Sequence, residues 1–315
     1  MTSRVAVAAI GGNSLIKDKR HESVADQYLA AHETAGHIVS MIKEGWNVVI
    51  THGNGPQVGF ILRRSELAAG ELHEVPLDVI GADTQGAIGY ALQQNLQNAF
   101  RVAGLDRDVA TIICQAQVSA DDPAFSHPTK PIGSFMSEQE AERRRQQGWN
   151  LIEDSNRGWR RVVASPMPLR IVELPVIRRL VEAGTVVITV GGGGIPVVEK
   201  QTGELVGVAA VIDKDLASAL LANDLGADML LICTAVERVA LGFGTPGQRW
   251  VDHLTLSDAK RYLAEGTHFG NGSMAPKIKA VINYLEHGGK EALITSPESI
   301  ERALKGETGT RITRG

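Results

Sequence analysis

Cysteine is nearly missing from this chain: of 315 residues only Cys114 and Cys233 are cysteines. Each lies in an apolar run that reads as a strand, and neither has metal-ligand spacing or a neighbouring histidine. Both are expected to be buried core thiols, and no zinc-ligand cluster is present. Long apolar runs are missing too. None approaches the ~18 residues of a membrane-spanning helix, and the N-terminus does not resemble a signal peptide, so no membrane partner and a cytoplasmic protein are expected. Charge of one sign is also lacking: 36 acidic against 32 basic residues leave a net charge of −4. That balance argues against a nucleic-acid partner held by bulk charge, though not against a local basic pocket. With 43% hydrophobic and 22% charged residues, the composition is that of a globular protein large enough for one two-lobed domain or two small ones.

Several nucleotide-site signatures are absent as well. No segment fits the Gly-x-x-x-x-Gly-Lys-Ser/Thr loop. The Gly-x-Gly-x-x-Gly fingerprint fails because its third glycine position, counted from Gly191, is Pro196. The His-Arg-Asp and Asp-Phe-Gly pair of protein kinases is missing.

What the chain does have is glycine in particular places. An apolar β-branched run, Thr185–Val190, reads as a buried parallel strand and is followed at once by Gly191-Gly192-Gly193-Gly194. Val5–Ile10 leads into Gly11-Gly12-Asn13-Ser14, and Asn47–Thr51 leads into His52-Gly53-Asn54-Gly55-Pro56-Gln57. Glycine after a strand lets a phosphate approach the backbone, and in parallel sheets ligands bind at the carboxyl ends of strands. One such loop could be a simple turn. Three at one edge predict a site.

Lysines are placed to match. Val211-Ile212-Asp213-Lys214-Asp215 opens a helix, where free N–H groups and the helix dipole favour anions. Lys277 follows Gly272-Ser273-Met274-Ala275-Pro276, with Ser273 or a neighbour as the expected cap. Residues 119–170 break the alternation of strands and helices. They hold a proline-bounded loop around Lys130, a short charged helix over Ser137–Gln147, and a hairpin of Trp149–Glu153 with Trp159–Val163, a length usual for a lid or binding loop. His52 is expected to hold a turn, and Arg143–Arg145 and Arg160–Arg161 to be paired or solvated. The weakly charged helix over Asp78–Arg101, with Gly81, Gly86 and Gly89, invites a subunit interface. Glycine loops, three lysines and one carboxylate suit phosphoryl transfer, in which the protein mainly positions reactants and neutralises charge. No general base is evident, and an acceptor that is already an anion needs none.

Taken together, Ala9–Asn13, His52–Gly59, Pro128–Gly133, Gly158–Val163, Val190–Pro196, Val211–Asp215 and Gly272–Lys277 resemble the carbamate kinases of the amino-acid-kinase superfamily, end to end. The resemblance implies an α/β fold, a three-layer αβα sandwich around a mainly parallel open sheet, with a small protruding lid subdomain. It implies a lobe 1–225 for carbamate or carbamoyl phosphate, carrying the lid, and a lobe 226–315 for the nucleotide. A Mg2+-requiring, homodimeric enzyme using ATP/ADP would follow. By position, Lys130, Lys214, Asp215 and Lys277 would be catalytic. Gly11, Gly12, Asn13, Gly53, Asn54, Gly55, Gly192 and Gly193 would hold substrate and phosphate, and Thr234, Ala235, Val236, Glu237 and Met274 would meet the nucleotide. No residue is assigned to the metal. The family more often has Asp where Glu237 stands and a Tyr-bearing segment at Ala240–Phe243. A sister kinase acting on another small acid is the alternative.

Overall fold

The computed structural model describes residues 4–12, 15–16, 18, 20–154, 157–270 and 272–315. The expectation for Asn13 falls outside the described residues.

Among them, eight strands form one sheet in the order His253–Thr255, Thr310–Thr313, Glu291–Thr295, Met229–Cys233, Arg4–Ile10, Trp46–His52, Val186–Ile188, Val109–Thr111. Every ladder is parallel except that between Glu291–Thr295 and Thr310–Thr313. The strands read as continuous apolar runs because both faces are covered. From Arg4–Ile10, Val7 and Ala9 enter one core, while Ala6, Ala8 and Ile10 enter the other. Helices Leu174–Glu182, Lys214–Leu225, Leu256–Glu265 and Met274–Glu286 cover the first face. Helices Val24–Lys43, Leu77–Ala103 and Ile300–Leu304 cover the second, giving the expected three layers. The sheet runs unbroken across residue 225. Among the described residues no helix is long and apolar enough to cross a membrane.

The helix Val24–Lys43 starts at a capping box, Ser23 closed reciprocally with Asp26. Val109–Val118 divides at Cys114: Val109–Thr111 joins the main sheet, and Gln115–Gln117 joins a four-stranded sheet with Leu205–Gly207, Ile195–Glu199 and Arg170–Ile171. The Gln85 side chain makes that division possible. It accepts from Cys114 N–H at 2.8 Å and donates to the Cys114 and Gly191 carbonyls at 3.1 Å each, standing in for a strand partner. Both cysteines are buried and unpaired, and burial pushes their thiols up to about 12.

The lid is a three-stranded antiparallel sheet of Lys130–Met136, Trp159–Val163 and Leu151–Glu153, with the helix Glu138–Gln146 against it. Lys130 therefore opens a strand rather than sitting in a loop, paired across to Val163. The lid arginines are paired as expected: Arg143 and Arg144 with Glu140, Arg145 with Glu138 and Glu142, Arg160 with Asp154. Arg161 instead stacks on Trp149, 4.5 Å from the ring centroid.

Candidate active site

Parallel register brings the strand ends to one edge of the sheet. Ile10 lies opposite His52 and Ala9 opposite Ile232, so the loops after these strands emerge side by side, with Gly191 alongside after Val186–Ile188. Gly53 N–H donates to Ile10 O at 2.9 Å. A Cβ on Gly53 would stand 3.0 Å from Gly12 N, so the two loops touch backbone to backbone. Before the glycine run, Val190 sits at φ 51°, the one positive-φ non-glycine among the described residues. A β-branched residue there is strained, and such strain collects at functional sites. Gly192, at φ +64°, lies so close to Asn54 that a Cβ would fall 2.1 Å from its Nδ2. Asn54 precedes the helix Gly55–Ala68 without capping it. Its side chain turns away to donate to Thr84 Oγ1 at 2.9 Å, and Thr84 donates on to Gly81 O at 2.8 Å.

Charge gathers at the same edge. Asp215 is 4% exposed, with Lys214 Nζ 2.5 Å from Oδ1 and Lys277 Nζ 3.0 Å from Oδ2. Burial opposes ionisation of this carboxyl, but the two ammonium groups outweigh it and hold the group well below the usual range, at about 2. Asp213 caps the helix Lys214–Leu225 and pairs with Lys130 Nζ of the lid at 2.9 Å. Buried ion pairs are poor stabilisers, since apolar replacements often do as well. A Lys–Asp–Lys bridge among glycine loops at the carboxyl edge of the sheet is instead an arrangement that can receive an anion. Thr51 Oγ1 and Ser218 Oγ are 2.6 Å apart, and Ser218 donates to Lys214 O at 2.7 Å, tying the helix start to the neighbouring strand end.

His52 ends its strand instead of forming a turn. It is 1% exposed, with Nδ1 3.1 Å from Gly53 O, and burial, aided by the Lys214 charge, pushes it down to about 4. It is neutral at pH 7. The unfolded chain, titrating near 6.5, takes up this proton first, so the His52 contribution to stability is whole above about pH 6.5 and is lost as pH falls toward 4. The full depression corresponds to about 3 kcal/mol. Urea unfolding of wild type and His52→Asn is expected to show a wild-type loss across that window that the variant lacks; parallel curves would contradict it.

Beside the charged cluster lies an apolar cleft of about 220 Å³, lined by Thr234, Ala235, Val236, Ala240, Phe243, Trp250, His268, Phe269, Gly270, Ser273 and Met274. Met274 begins the helix Met274–Glu286, and one turn later Lys277 reaches Asp215. One helix end thus joins the cleft to the ammonium cluster. Ser273 stands at the cap position but makes no side-chain cap bond.

The expected residues Gly11, Gly12, Gly53, Asn54, Gly192 and Gly193 lie in these three loops and Gly55 begins the helix that follows the second, while Lys130, Lys214, Asp215 and Lys277 belong to the two ion-pair groups. Thr234, Ala235, Val236 and Met274 line the cleft. Glu237 does not: Arg302 Nη1 lies 2.9 Å from its Oε1, and Ser299 Oγ donates to the same oxygen at 3.3 Å. Sequence reasoning left out Thr84 and Gln85, which carry no pattern beyond being polar within an apolar helix. It also left out Phe243, Trp250 and Phe269, and read Asp213 as no more than a possible cap. Among the described residues no cluster of three or more histidine, cysteine or carboxylate groups could cage a metal ion.

A model of the Amino acid kinase family matches residues 4–296. The carbamate kinase-like protein YahI of Escherichia coli K12 is 48% identical, with 98% of this chain and 99% of that protein aligned. Carbamate kinase of Pyrococcus horikoshii is 46% identical over 99% of this chain and 100% of its own length. Carbamate kinase from Giardia lamblia bound to AMP-PNP superposes with a TM-score of 0.92 at 40% identity, covering 99% of both chains. With agreement of that extent in sequence and backbone alike, the chain belongs to the amino acid kinase family and, within it, to the carbamate kinases.

Proposed function

We propose that the protein interconverts ATP plus carbamate with ADP plus carbamoyl phosphate. The observation that carries this reading is the Lys214–Asp215–Lys277 bridge, set where the apolar cleft meets the glycine loops. Each ammonium has three protons and gives one to Asp215, which leaves donors for a transferring phosphoryl group. Fixing both lysines beforehand stabilises charge on that group without reorganisation at the moment of transfer. A base in the Thr234–Val236 and Met274 cleft would lead its phosphates toward Lys277, in a lobe spanning residues 226–315. Gly11, Gly12, Gly53, Asn54, Gly55, Gly192 and Gly193, in the lobe 1–225, would meet the acyl phosphate, with Lys130 arriving from the lid.

Neither site carboxylate is free to act as a base, since Asp213 and Asp215 are both engaged by lysines. A carbamate oxygen, already anionic, suits such a site. The same engagement bears on magnesium. The described residues do not build a protein cage for Mg2+, so the ion belongs with the nucleotide's phosphates and water, as is usual for this cation. A cytoplasmic location and a homodimer are part of the same reading; the homodimer is supported by Val24, Leu29 and Tyr90, large side chains exposed on two of the three helices of the second face.

The test is ATP formation by the purified protein from ADP, magnesium and carbamoyl phosphate, with Lys214→Ala as control. Wild-type activity that the folded variant lacks is the expected result. No ATP from the wild type would overturn the reading.

A further inference from the structure

The two carboxylate oxygens of Asp213 serve different parts of the molecule. Oδ1 accepts from the N–H groups of Asp215 at 3.0 Å and Leu216 at 3.3 Å, closing the start of the helix Lys214–Leu225. Oδ2 accepts from Lys130 Nζ at 2.9 Å. Capping requires only an oxygen, which asparagine or serine supplies as well as aspartate. The charge on the second oxygen is therefore not explained by the cap. The lid's exit meets the same stretch of chain, since Ala164 pairs with Ala210 and Val211 N–H donates to Ala164 O at 3.0 Å. The strands by which the chain enters and leaves the lid sheet, paired at Lys130 and Val163, thus both meet residues 210–213, directly ahead of Lys214 and Asp215.

We propose that Asp213 is a positioning residue for phosphoryl transfer, holding the lid's Lys130 in register with the helix that presents Lys214. The proposal rests on the phosphoryl-transfer reading above. The pair is neither fully buried nor open, with side-chain exposures of 35% for Lys130 and 17% for Asp213. Partial desolvation strengthens it relative to a surface pair, while the ammonium keeps two protons for a ligand. Asp213 thus links lid position to the catalytic helix through a single side chain.

Asp213→Asn and Asp213→Ser keep a capping oxygen and remove the charge. Each is expected to fold, to keep the KM for ADP within about twofold, and to lower kcat about 10- to 100-fold, the usual result of misplacing a catalytic group by about 1 Å. Lys130→Ala lowers kcat as well. Because Asp213 acts through Lys130, the double variant Asp213→Asn/Lys130→Ala should be no slower than Lys130→Ala within about twofold, whereas independent losses would multiply. Hydrogen exchange over residues 119–136 in the free enzyme needs no substrate and should quicken equally in Asp213→Asn and Lys130→Ala.

Unchanged kcat in both Asp213 variants, multiplied losses in the double variant, or lid exchange unaltered from wild type would each overturn the proposal. If these results come from a wild type that makes ATP, only the role of Asp213 falls. A wild type that makes none removes the phosphoryl-transfer reading and this proposal together.

Discussion

Replacing Asp215 by asparagine should lower kcat for ATP formation on the order of 10²–10³-fold, the usual cost of one preorganised electrostatic contact. The substitution keeps the size of a side chain that is 4% exposed, so the core around it need not repack. It removes the charge that holds Lys214 and Lys277 together, leaving two ammonium groups to repel one another in a desolvated place. Circular dichroism and ADP affinity should stay near wild type while turnover collapses. The pH behaviour follows from the same charges. Because the lysines depress this carboxyl, it stays ionised in the native enzyme below the pH at which it protonates in the unfolded chain. Its stabilising contribution is thus whole above about pH 4 and is lost as pH falls toward 2. Asp215→Asn should unfold with less acid sensitivity in that window. Near-normal kcat in a folded Asp215→Asn protein would remove this residue from the mechanism.

Gly192→Ala is expected to lose about 10²-fold in kcat, comparable to other cases where a site group is shifted by about 1 Å. At φ +64° the alanine is conformationally strained, by roughly 1–2 kcal/mol, before any contact is counted. Its Cβ would then fall 2.1 Å from Asn54 Nδ2, and Asn54 is buried and already bonded to Thr84. Asn54 must move, taking with it the start of the helix Gly55–Ala68. Gly203→Ala separates the two effects. Its φ is +83°, but nothing lies within 4 Å of the added Cβ, so it should lose stability without losing activity. Equal kcat losses at both positions would mean that backbone strain, and not displacement of Asn54, is responsible.

The motifs themselves made the site's address legible. Apolar β-branched runs ending in glycine identified Val5–Ile10, Asn47–Thr51 and Thr185–Val190 as strands with loops at one edge, because period and punctuation are local properties of the chain; that these strands are neighbours came only from their pairing. The lid hairpin was legible for the same reason. What stayed hidden depended on contacts between distant segments. Lys130 joins Asp213 across 83 residues, and Glu237 pairs with Arg302 instead of lining the apolar cleft. The break at Cys114 follows from Gln85, 29 residues earlier, and no local propensity announces it. The glycine-rich stretch Leu241–Gly247 connects the hairpin of Val239–Leu241 with Arg249–Val251. Short strands of this kind carry too few residues to show a period. Phe243 and Trp250 flank that turn and bring aromatic surface to the cleft, at the segment where the family more often shows tyrosine.

The donor preference of the wild-type enzyme tests the carbamate assignment most directly. With ADP and magnesium in excess, ATP formation is followed with carbamoyl phosphate and with acetyl phosphate, and the two kcat/KM values are compared. The carbamoyl NH₂ can donate to polar partners in the site, such as Asn54 Oδ1 or a loop carbonyl, whereas a methyl group leaves them unpaired. A site built around such a bond rejects an analogue lacking it by up to about 10⁴–10⁵, while sensing size alone is worth about 10–200-fold. The expected result is a ratio favouring carbamoyl phosphate by more than size alone can give. Equal kcat/KM for the two donors would contradict carbamate as the acceptor and bring forward a sister kinase for another small acid.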